Sequence, residues 1–327
     1  MRRETLINAV LAIGLLAIPL WAHVTGEIFT ITLSTRVAIL ALAAVGLNLA
    51  LGLGGLISFG HAAYFGLGGY TMGILAFHAQ SFDPMFTWPF VFEGTRQMLV
   101  IWVVALIVSG LAAFVIGLLT LRTSGAYFIM ATLAFAQMFY YLFISWPKYG
   151  GEDGMSIYVR NDFPGLDTLD PIQFFLICYV LLMFAIFLSW RIARSPFGLA
   201  LQASRQNAER VETVGITPFR IRLTAFVISG MITGLAGALM ADLNRFVGPT
   251  MFSWETSGEI MILVILGGVA RLYGPVAGAA LFILLEHWLG GVSDYWLGFV
   301  GVLLLLVVLF ARGGIVGSLA GREVAHD

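Results

Sequence analysis

The chain has 327 residues, of which 60% are hydrophobic and 11% are charged, and its mean hydropathy is +0.95. Soluble domains carry about 25% charged residues, so the composition excludes an ordinary soluble domain and indicates a protein of the lipid bilayer. The formal net charge of −1 argues against a nucleic-acid partner, and the single cysteine, Cys178, excludes an intrachain disulfide.

The N-terminal segment resembles a signal peptide, because Arg2 and Arg3 precede an apolar run. The run is followed by Trp21-Ala22-His23, which lacks the small-x-small pattern of a cleavage site. We therefore expect a retained first span, with a cleaved signal as the alternative.

Ten apolar segments approach the length of about 20 residues that a membrane-spanning helix needs. They are Leu6–Trp21, Ile28–Ala50, Ala62–His78, Met98–Leu121, Ala126–Ile144, Ile172–Trp190, Leu223–Ala241, Ser257–Val269, Pro275–Leu289 and Trp296–Ala311. Several are too short for a full crossing, which predicts broken or re-entrant helices. The predicted fold is an all-α, polytopic transmembrane helical bundle that forms one domain over residues 1–327.

The glycine-rich stretch at residues 52–70 indicates either an interrupted helix or close helix packing. Ser58, Gly60, His61 and Tyr64 lie in it, and His61 and Tyr64 share the i, i+3 face of a helix. Polar groups at membrane depth often mark a solute pathway. Two interpretations stay open: a gate in the translocation path, or small-residue packing with His61 satisfied by a neighbour.

A second set of polar residues, Tyr127, Thr132 and Gln137, interrupts the apolar segment that follows. These residues do not share one helix face, so they do not establish a continuous pore lining. They are further candidates for the path, and hydrogen bonding between helices is the alternative for Thr132 and Gln137.

Two helix junctions resemble each other in sequence, "LGGLISFGHAAYFG" and "LGGVARLYGPVAGA". Each joins two apolar helices through a pair of glycines and a short turn. Internal duplication is common in transporters, and chance is the alternative explanation.

The distribution of arginine predicts the topology, because cytoplasmic loops collect basic residues. With Arg2 inside, most arginines fall in cytoplasmic segments, and both termini are cytoplasmic. Residues 191–222 form a basic, helix-prone cytoplasmic loop, and residues 80–97 and 146–171 form outer loops. The Gly, Pro and Asp content of residues 146–171 predicts turns.

Motifs for nucleotide binding or catalysis are missing from the sequence. The single lysine, Lys148, follows a proline in an outer loop, so no G-x-x-x-x-G-K-[ST] loop exists. The sequence also lacks H-E-x-x-H and G-x-S-x-G. We expect a protein that is not an enzyme and that holds no cofactor or metal of its own.

Six blocks resemble, in order, the LivM-type permeases of branched-chain amino-acid ABC importers. They are "LNLALGLGGLISFGHAAYFGLGGY", "TSGAYFIMATLAFAQ", "GGEDGMS", "RSPFGLALQASRQNAERVETVGI", "AFVISGMITGLAGALMA" and "ILGGVARLYGPVAGAAL". The resemblance implies a subunit of the bacterial inner membrane. It also implies four kinds of partner: a second homologous permease, two cytoplasmic ATPases that carry ATP and Mg, a periplasmic substrate-binding protein and the surrounding bilayer.

The resemblance further implies a cytoplasmic helix that couples the permease to its ATPases, with the pattern E-A-A-x-x-x-G. Glu209 and Gly215 have this separation, although Arg210 and Val211 replace the two alanines. The predicted coupling residues are Arg205, Asn207, Glu209, Glu212 and Gly215. We expect residues 202–215 to move as one rigid lever.

The solute of such an importer is a branched-chain or another hydrophobic amino acid, with urea, short amides and aromatic acids as alternatives. A stand-alone secondary transporter is a second hypothesis. It needs a coupling charge in the membrane, for which Arg36, Asp242 and Glu286 are the candidates, and none has a partner at helical spacing.

Overall fold

The computed structural model describes residues 2–81, 84, 93–291, 296–310 and 313–320. The structure is 79% helical, with 13 α-helices in these ranges, which confirms the predicted helical bundle. The predicted outer loop at residues 80–97 lies largely outside the described residues.

Each predicted span corresponds to one apolar helix of 14 to 27 residues, with ends that differ by a few residues. These helices are α1 (Arg2–Thr25), α2 (Ile28–Asn48), α3 (His61–Ser81), α4 (Met98–Thr120), α5 (Ala126–Ile144), α6 (Pro171–Ala193), α9 (Pro218–Asn244), α10 (Trp254–Gly267), α11 (Gly274–Gly290) and α12 (Trp296–Phe310). Three shorter helices complete the set: α7 (Pro196–Gln206), α8 (Ala208–Thr213) and α13 (Gly314–Ala320). By length and composition, six helices in the described ranges are able to cross a membrane.

Helix α9 lies at the centre of the bundle and packs against α2, α3 and α4. Its backbone touches that of α3, since a Cβ atom at Gly68 would clash with the carbonyl oxygen of Gly234. A Cβ atom at Gly237 would clash with the carbonyl oxygen of Phe65 in the same way. Gly68 therefore serves helix packing, which is one of the two predicted uses of the glycine-rich stretch.

The other predicted use, an interrupted helix, applies to the beginning of the stretch. Helix α2 continues into a π-helical turn (Leu49–Leu53), Gly55 adopts a left-handed conformation with φ of +67°, and α3 begins only at His61. Residues 54–60 thus form a non-helical segment between two helices. We call residues 54–60 the first re-entrant segment.

A second re-entrant segment enters from the opposite end of the bundle, after α9. It consists of residues 245–253 and contains a short strand, β2 (Phe246–Val247), and a 3-10 turn (Pro249–Phe252). Its side chains approach successive glycines along α3: Val247 faces Gly73, Met251 faces Gly69 and Phe252 faces Gly66. Phe252 is fully buried, and helix α10 begins two residues later, at Trp254.

The two junctions that resemble each other in sequence lie side by side. The Asn48 side chain at the end of α2 donates from Nδ2 to the carbonyl oxygen of Arg271, at 3.0 Å. Its Oδ1 accepts from the backbone N–H of Ala270, at 2.9 Å. One side chain therefore fastens the α2–α3 break to the α10–α11 break.

Residues 146–170 contain no α-helix, as predicted for this loop, and α6 begins at Pro171. They form a 3-10 turn (Pro147–Tyr149) and a short strand, β1 (Met155–Ser156), which pairs antiparallel with β2. This strand pair was not predicted. It forms because the loop folds onto the end of α9, where its backbone groups need partners.

Candidate functional site

Side chains from two other helices satisfy the backbone of the first re-entrant segment. Ser257 of α10 donates from Oγ to the carbonyl oxygen of Phe59, at 2.6 Å, and accepts from the N–H of Ala62, at 2.9 Å. Thr132 of α5 accepts from the N–H of Phe59 at 3.2 Å. Backbone without secondary structure survives at membrane depth only with such partners. The segment is therefore held in a defined conformation.

His61, the first residue of α3, is completely buried. Its Nε2 lies 2.7 Å from Oγ of Ser229 in α9, and that hydroxyl donates to the carbonyl oxygen of Gly46 at 2.6 Å. Because the Ser229 hydrogen is used for Gly46, Nε2 of His61 must be the donor. The chain of hydrogen bonds links α3, α9 and α2 near the middle of α9.

Aromatic rings close the space around His61. Its ring makes edge contacts with Tyr64 and Phe226, at centroid distances of 5.6 and 5.9 Å. The ring of Phe226 in turn contacts the ring of Phe128 in α5, at a centroid distance of 6.0 Å. The hydroxyl of Tyr64 is buried and has no hydrogen-bond partner. We define the polar node as Ser58, His61, Thr132, Ser229 and Ser257, all of them buried; in this structure it is closed.

The structure brings together five of the seven residues predicted to line the path: Ser58, Gly60, His61, Tyr64 and Thr132. The N–H of Gly60 donates to Oγ of Ser58 at 3.1 Å, and a Cβ atom at Gly60 would press on Thr132. These residues form one cluster around the first re-entrant segment.

Tyr127 and Gln137 do not join this cluster. Helix α5 buries the face that carries Phe128 and Thr132, whereas the Tyr127 side chain is 76% exposed. Gln137 is half-buried and lies five residues, or about 140° around the helix, from Thr132. Since the bundle contacts one face of α5, neighbouring polar residues of that helix have different surroundings.

The coupling segment consists of two helices, α7 and α8, separated by Asn207. Asn207 is extended, with φ of −153°, and its Oδ1 accepts from the N–H of Arg210 at 3.0 Å, capping α8. The predicted lever over residues 202–215 therefore consists of two helices and not of one continuous helix. An extended Asn ends α7, and its side chain begins a second helix.

Helix α8 ends as the sequence predicts. Gly215 has φ of +84°, and its N–H donates to the carbonyl oxygen of Glu212 at 2.9 Å. The next amide, of Ile216, donates to the carbonyl of Val211, at 3.3 Å. Glu209 and Glu212 are exposed, while Val211 is buried. Helix α8 thus presents charged side chains to its surroundings.

Arg205 connects the coupling segment to the break in α2. Its Nη1 donates to the carbonyl oxygen of Gly52 at 2.5 Å. Its aliphatic stem lies against Gly55, where a Cβ atom would come within 2.8 Å of Cγ of Arg205. Arg222, at the start of α9, donates from Nη2 to the carbonyl oxygen of Ser204 in α7. The coupling segment is therefore tied to the break that follows α2 and to the first turn of α9.

The segments predicted to share the cytoplasmic side lie at one end of the bundle. Arg271 forms an ion pair with Glu4 at 3.2 Å. Arg205 and Arg222 border a cavity together with the α4–α5 turn at residues 121–125.

Arg36 has an ionic partner that sequence spacing did not reveal. Its Nη1 lies 2.9 Å from Oε1 of Glu286, which belongs to α11. The two residues are far apart in the sequence, so no helical spacing relates them.

Asp242 likewise has a partner, Asn161, whose backbone N–H and Nδ2 both donate to Oδ1 of Asp242 at 3.2 Å. These charges have structural partners.

Sequence reasoning missed Asn48, Arg222, Ser229 and Ser257 as members of the site. Ser229 and Ser257 are polar residues in apolar helices, and that signal would have marked them. The partners of Asn48 and Arg222 lie on distant segments, and no local pattern identifies them.

A family described as the permease component of branched-chain amino acid transport systems matches residues 29–308. The chain belongs to this family. It is a multi-span permease, and the match includes α2 to α11, the polar node and the coupling segment.

Two relatives are high-affinity branched-chain amino acid transport system permease proteins LivM, from Salmonella typhimurium and Escherichia coli. Each is 26% identical over 311 residues, which cover 88% of this permease and 70% of the relative. An autoinducer 2 import system permease protein LsrC from Escherichia coli is 27% identical over 39% of each chain. No solved structure matches this permease significantly.

Proposed function

We propose that this permease is the membrane subunit of an ABC importer in the bacterial inner membrane. Its solute is leucine, isoleucine, valine or another hydrophobic amino acid. ATP and Mg bind to two separate cytoplasmic ATPases, which contact residues 191–222. A second homologous permease completes the membrane part, and a periplasmic binding protein delivers the solute.

The observation that carries this proposal is the hydrogen bond from Arg205 to the carbonyl oxygen of Gly52. It joins the predicted ATPase-contacting segment directly to the turn that precedes the polar node. A displacement of α7 therefore pulls on residues 52–55, whose left-handed Gly55 permits a change of direction. This hydrogen bond therefore connects the coupling segment to the polar node.

The charged surface of α8 is the part that the ATPases contact. Asn207, Glu209 and Glu212 are exposed, and Val211 anchors the helix to the protein. We place the end that contains this segment, and both chain termini, in the cytoplasm, since that end collects the arginines.

The closed polar node has the properties of a gate. Opening it requires residues 54–60 to leave Ser257, Thr132 and their neighbours, which breaks a few hydrogen bonds worth about 1 kcal/mol each. ATP hydrolysis on a partner supplies far more than this cost. Solute therefore passes only when the coupling segment moves the first re-entrant segment.

The solute has alternatives within the same type of importer. Urea, short amides and aromatic acids are the alternative solutes, and the LsrC relatives are named for autoinducer 2 import. The node itself offers hydroxyls and an imidazole, which suit any small polar solute.

Reconstitution tests the proposal. The permease is inserted into liposomes with its partner permease, both ATPases and the binding protein, and uptake of radiolabelled leucine is followed with and without ATP. We expect uptake that requires ATP and all partners. Uphill uptake by the isolated permease would overturn the proposal and favour a secondary transporter.

A matched pair of variants tests the coupling segment. Gly215 and Gly165 both have φ of +84° with no neighbouring atom within 4 Å of a Cβ, but they lie in the coupling segment and in the outer loop. Substitution by Trp strains both backbones equally. We expect Gly215→Trp to insert normally and to lose most ATP-driven uptake, whereas Gly165→Trp retains it. Equal uptake by both variants would show that Gly215 contacts no ATPase.

A further inference from the structure

A cavity of about 160 Å³ lies between the coupling segment and the polar node. Residues 54–57 of the first re-entrant segment, the α4–α5 turn, Phe128 and the side chains of Arg205 and Arg222 line it.

The charge in this cavity is uncompensated. The described residues that line it include two guanidinium groups and no Asp or Glu, and neither arginine forms an ion pair within the described ranges. A cationic cavity that lacks acidic side chains attracts anions.

The two arginines also have donors to spare. Each guanidinium carries five N–H groups in a planar fork that fits a carboxylate or a phosphate. Arg205 uses Nη1 for Gly52 and Arg222 uses Nη2 for Ser204, while Nε of Arg222 is buried without an acceptor. A bound oxyanion would supply the missing acceptor.

The cavity continues the line of the proposed path. Thr132, which holds the amide of Phe59 in the node, donates to the carbonyl oxygen of Ile129, and Ile129 lines the cavity. Three helical residues, about 4.5 Å of rise, therefore separate node and cavity. A solute that passes the opened node enters this space next.

We propose that the Arg205–Arg222 cavity is an oxyanion-binding vestibule that receives the carboxylate of the transported solute on the cytoplasmic side of the gate. The inference rests on the proposed function for the identity of the solute. Arg205 also donates a hydrogen bond to the carbonyl oxygen of Gly52. An anion bound to Arg205 would therefore contact the residue that links α7 to the gate. An anionic lipid headgroup offers the same oxyanion chemistry, and the experiment separates the two sources.

Chemical protection of arginine is the direct test. The purified complex in nanodiscs of neutral lipid is treated with phenylglyoxal, and modification of each arginine is measured by mass spectrometry. We expect leucine to slow modification of Arg205 and Arg222 severalfold. Leucinol, which has the same side chain without the carboxylate, should not. Arg194 and Arg220 are internal controls outside the cavity.

A second set of nanodiscs contains phosphatidylglycerol and no leucine. Protection there, without protection by leucine in neutral lipid, assigns the site to a lipid phosphate. The vestibule proposal would be overturned if neither leucine nor phosphatidylglycerol slowed the modification of Arg205 and Arg222, or if Arg220 were protected equally.

Transport supplies an independent readout. Loss of a charge-assisted hydrogen bond corresponds to about a tenfold effect or more. We expect Arg222→Gln to lower leucine uptake by about tenfold while ATP hydrolysis continues, Arg222→Lys to retain part of it, and Arg220→Gln to be unaffected. If the wild-type complex takes up no leucine, the proposed function fails. If the wild-type complex takes up leucine and the Arg222→Gln complex takes it up at the same rate, the vestibule proposal fails and the proposed function stands.

Discussion

Ser257 is the residue whose removal tests the closed gate most directly. Its hydroxyl bridges the carbonyl oxygen of Phe59, in a partly buried hydrogen bond, and the N–H of Ala62, in a buried one. Ser257→Ala leaves both without a partner, at a cost of about 1–3 kcal/mol each. The closed conformation of the first re-entrant segment should therefore lose at least about 2 kcal/mol. Since about 1.4 kcal/mol corresponds to a factor of ten, its opening should increase by roughly 30-fold.

Hydrogen–deuterium exchange of the reconstituted permease measures this opening. We expect faster exchange of the amides of Phe59 and Ala62 and unchanged exchange in the middle of α9. Ser81→Ala is the matched control, because the Ser81 hydroxyl is exposed and donates only within its own helix, to Phe77. Unchanged exchange at residues 56–62, or an equal increase throughout the bundle, would refute the idea that Ser257 holds a local gate.

Three further substitutions test packing, junction and coupling. Gly68→Ala should prevent the contact of α3 with α9 and abolish recovery of folded protein, whereas Gly298→Ala, which meets no atom within 4 Å, should leave size-exclusion profiles unchanged. Asn48→Ala removes two hydrogen bonds between the helix breaks and should cost about 2 kcal/mol, seen as a lower melting temperature in detergent; an unchanged melting temperature would contradict the bridge. Arg205→Met should reduce the ratio of solute transported to ATP hydrolysed, because the link to Gly52 is lost; an unchanged ratio would separate α7 from the gate.

Local properties of the sequence predicted the helices and the irregular loop well. Apolar length marked each long helix, and Gly, Pro and Asp marked residues 146–171 as non-helical. Gly215 ended α8 because a left-handed residue terminates a helix wherever it occurs. Each of these outcomes depends on neighbours within a few positions.

The candidate site was only partly predictable for the same reason. His61 and Thr132 were identified as polar residues in apolar surroundings, but so was Tyr127, which the fold leaves exposed. The break between α7 and α8 was not predicted, because the extended Asn207 ends α7 and its side chain caps α8. A polar residue shows its type in the sequence and its environment only in the fold.

The sequence by itself determined that this protein is a helical membrane permease with a basic segment at one end and a glycine-rich interruption. Only the tertiary structure decided which polar groups meet. The contacts of His61 with Ser229, of Ala62 with Ser257 and of Asn48 with Arg271 join residues 168, 195 and 223 positions apart. Helix formation is a short-range process fixed by hydrophobicity and backbone hydrogen bonding, whereas such pairs depend on how the helices pack, and the close approach of glycine-bearing helices sets that packing.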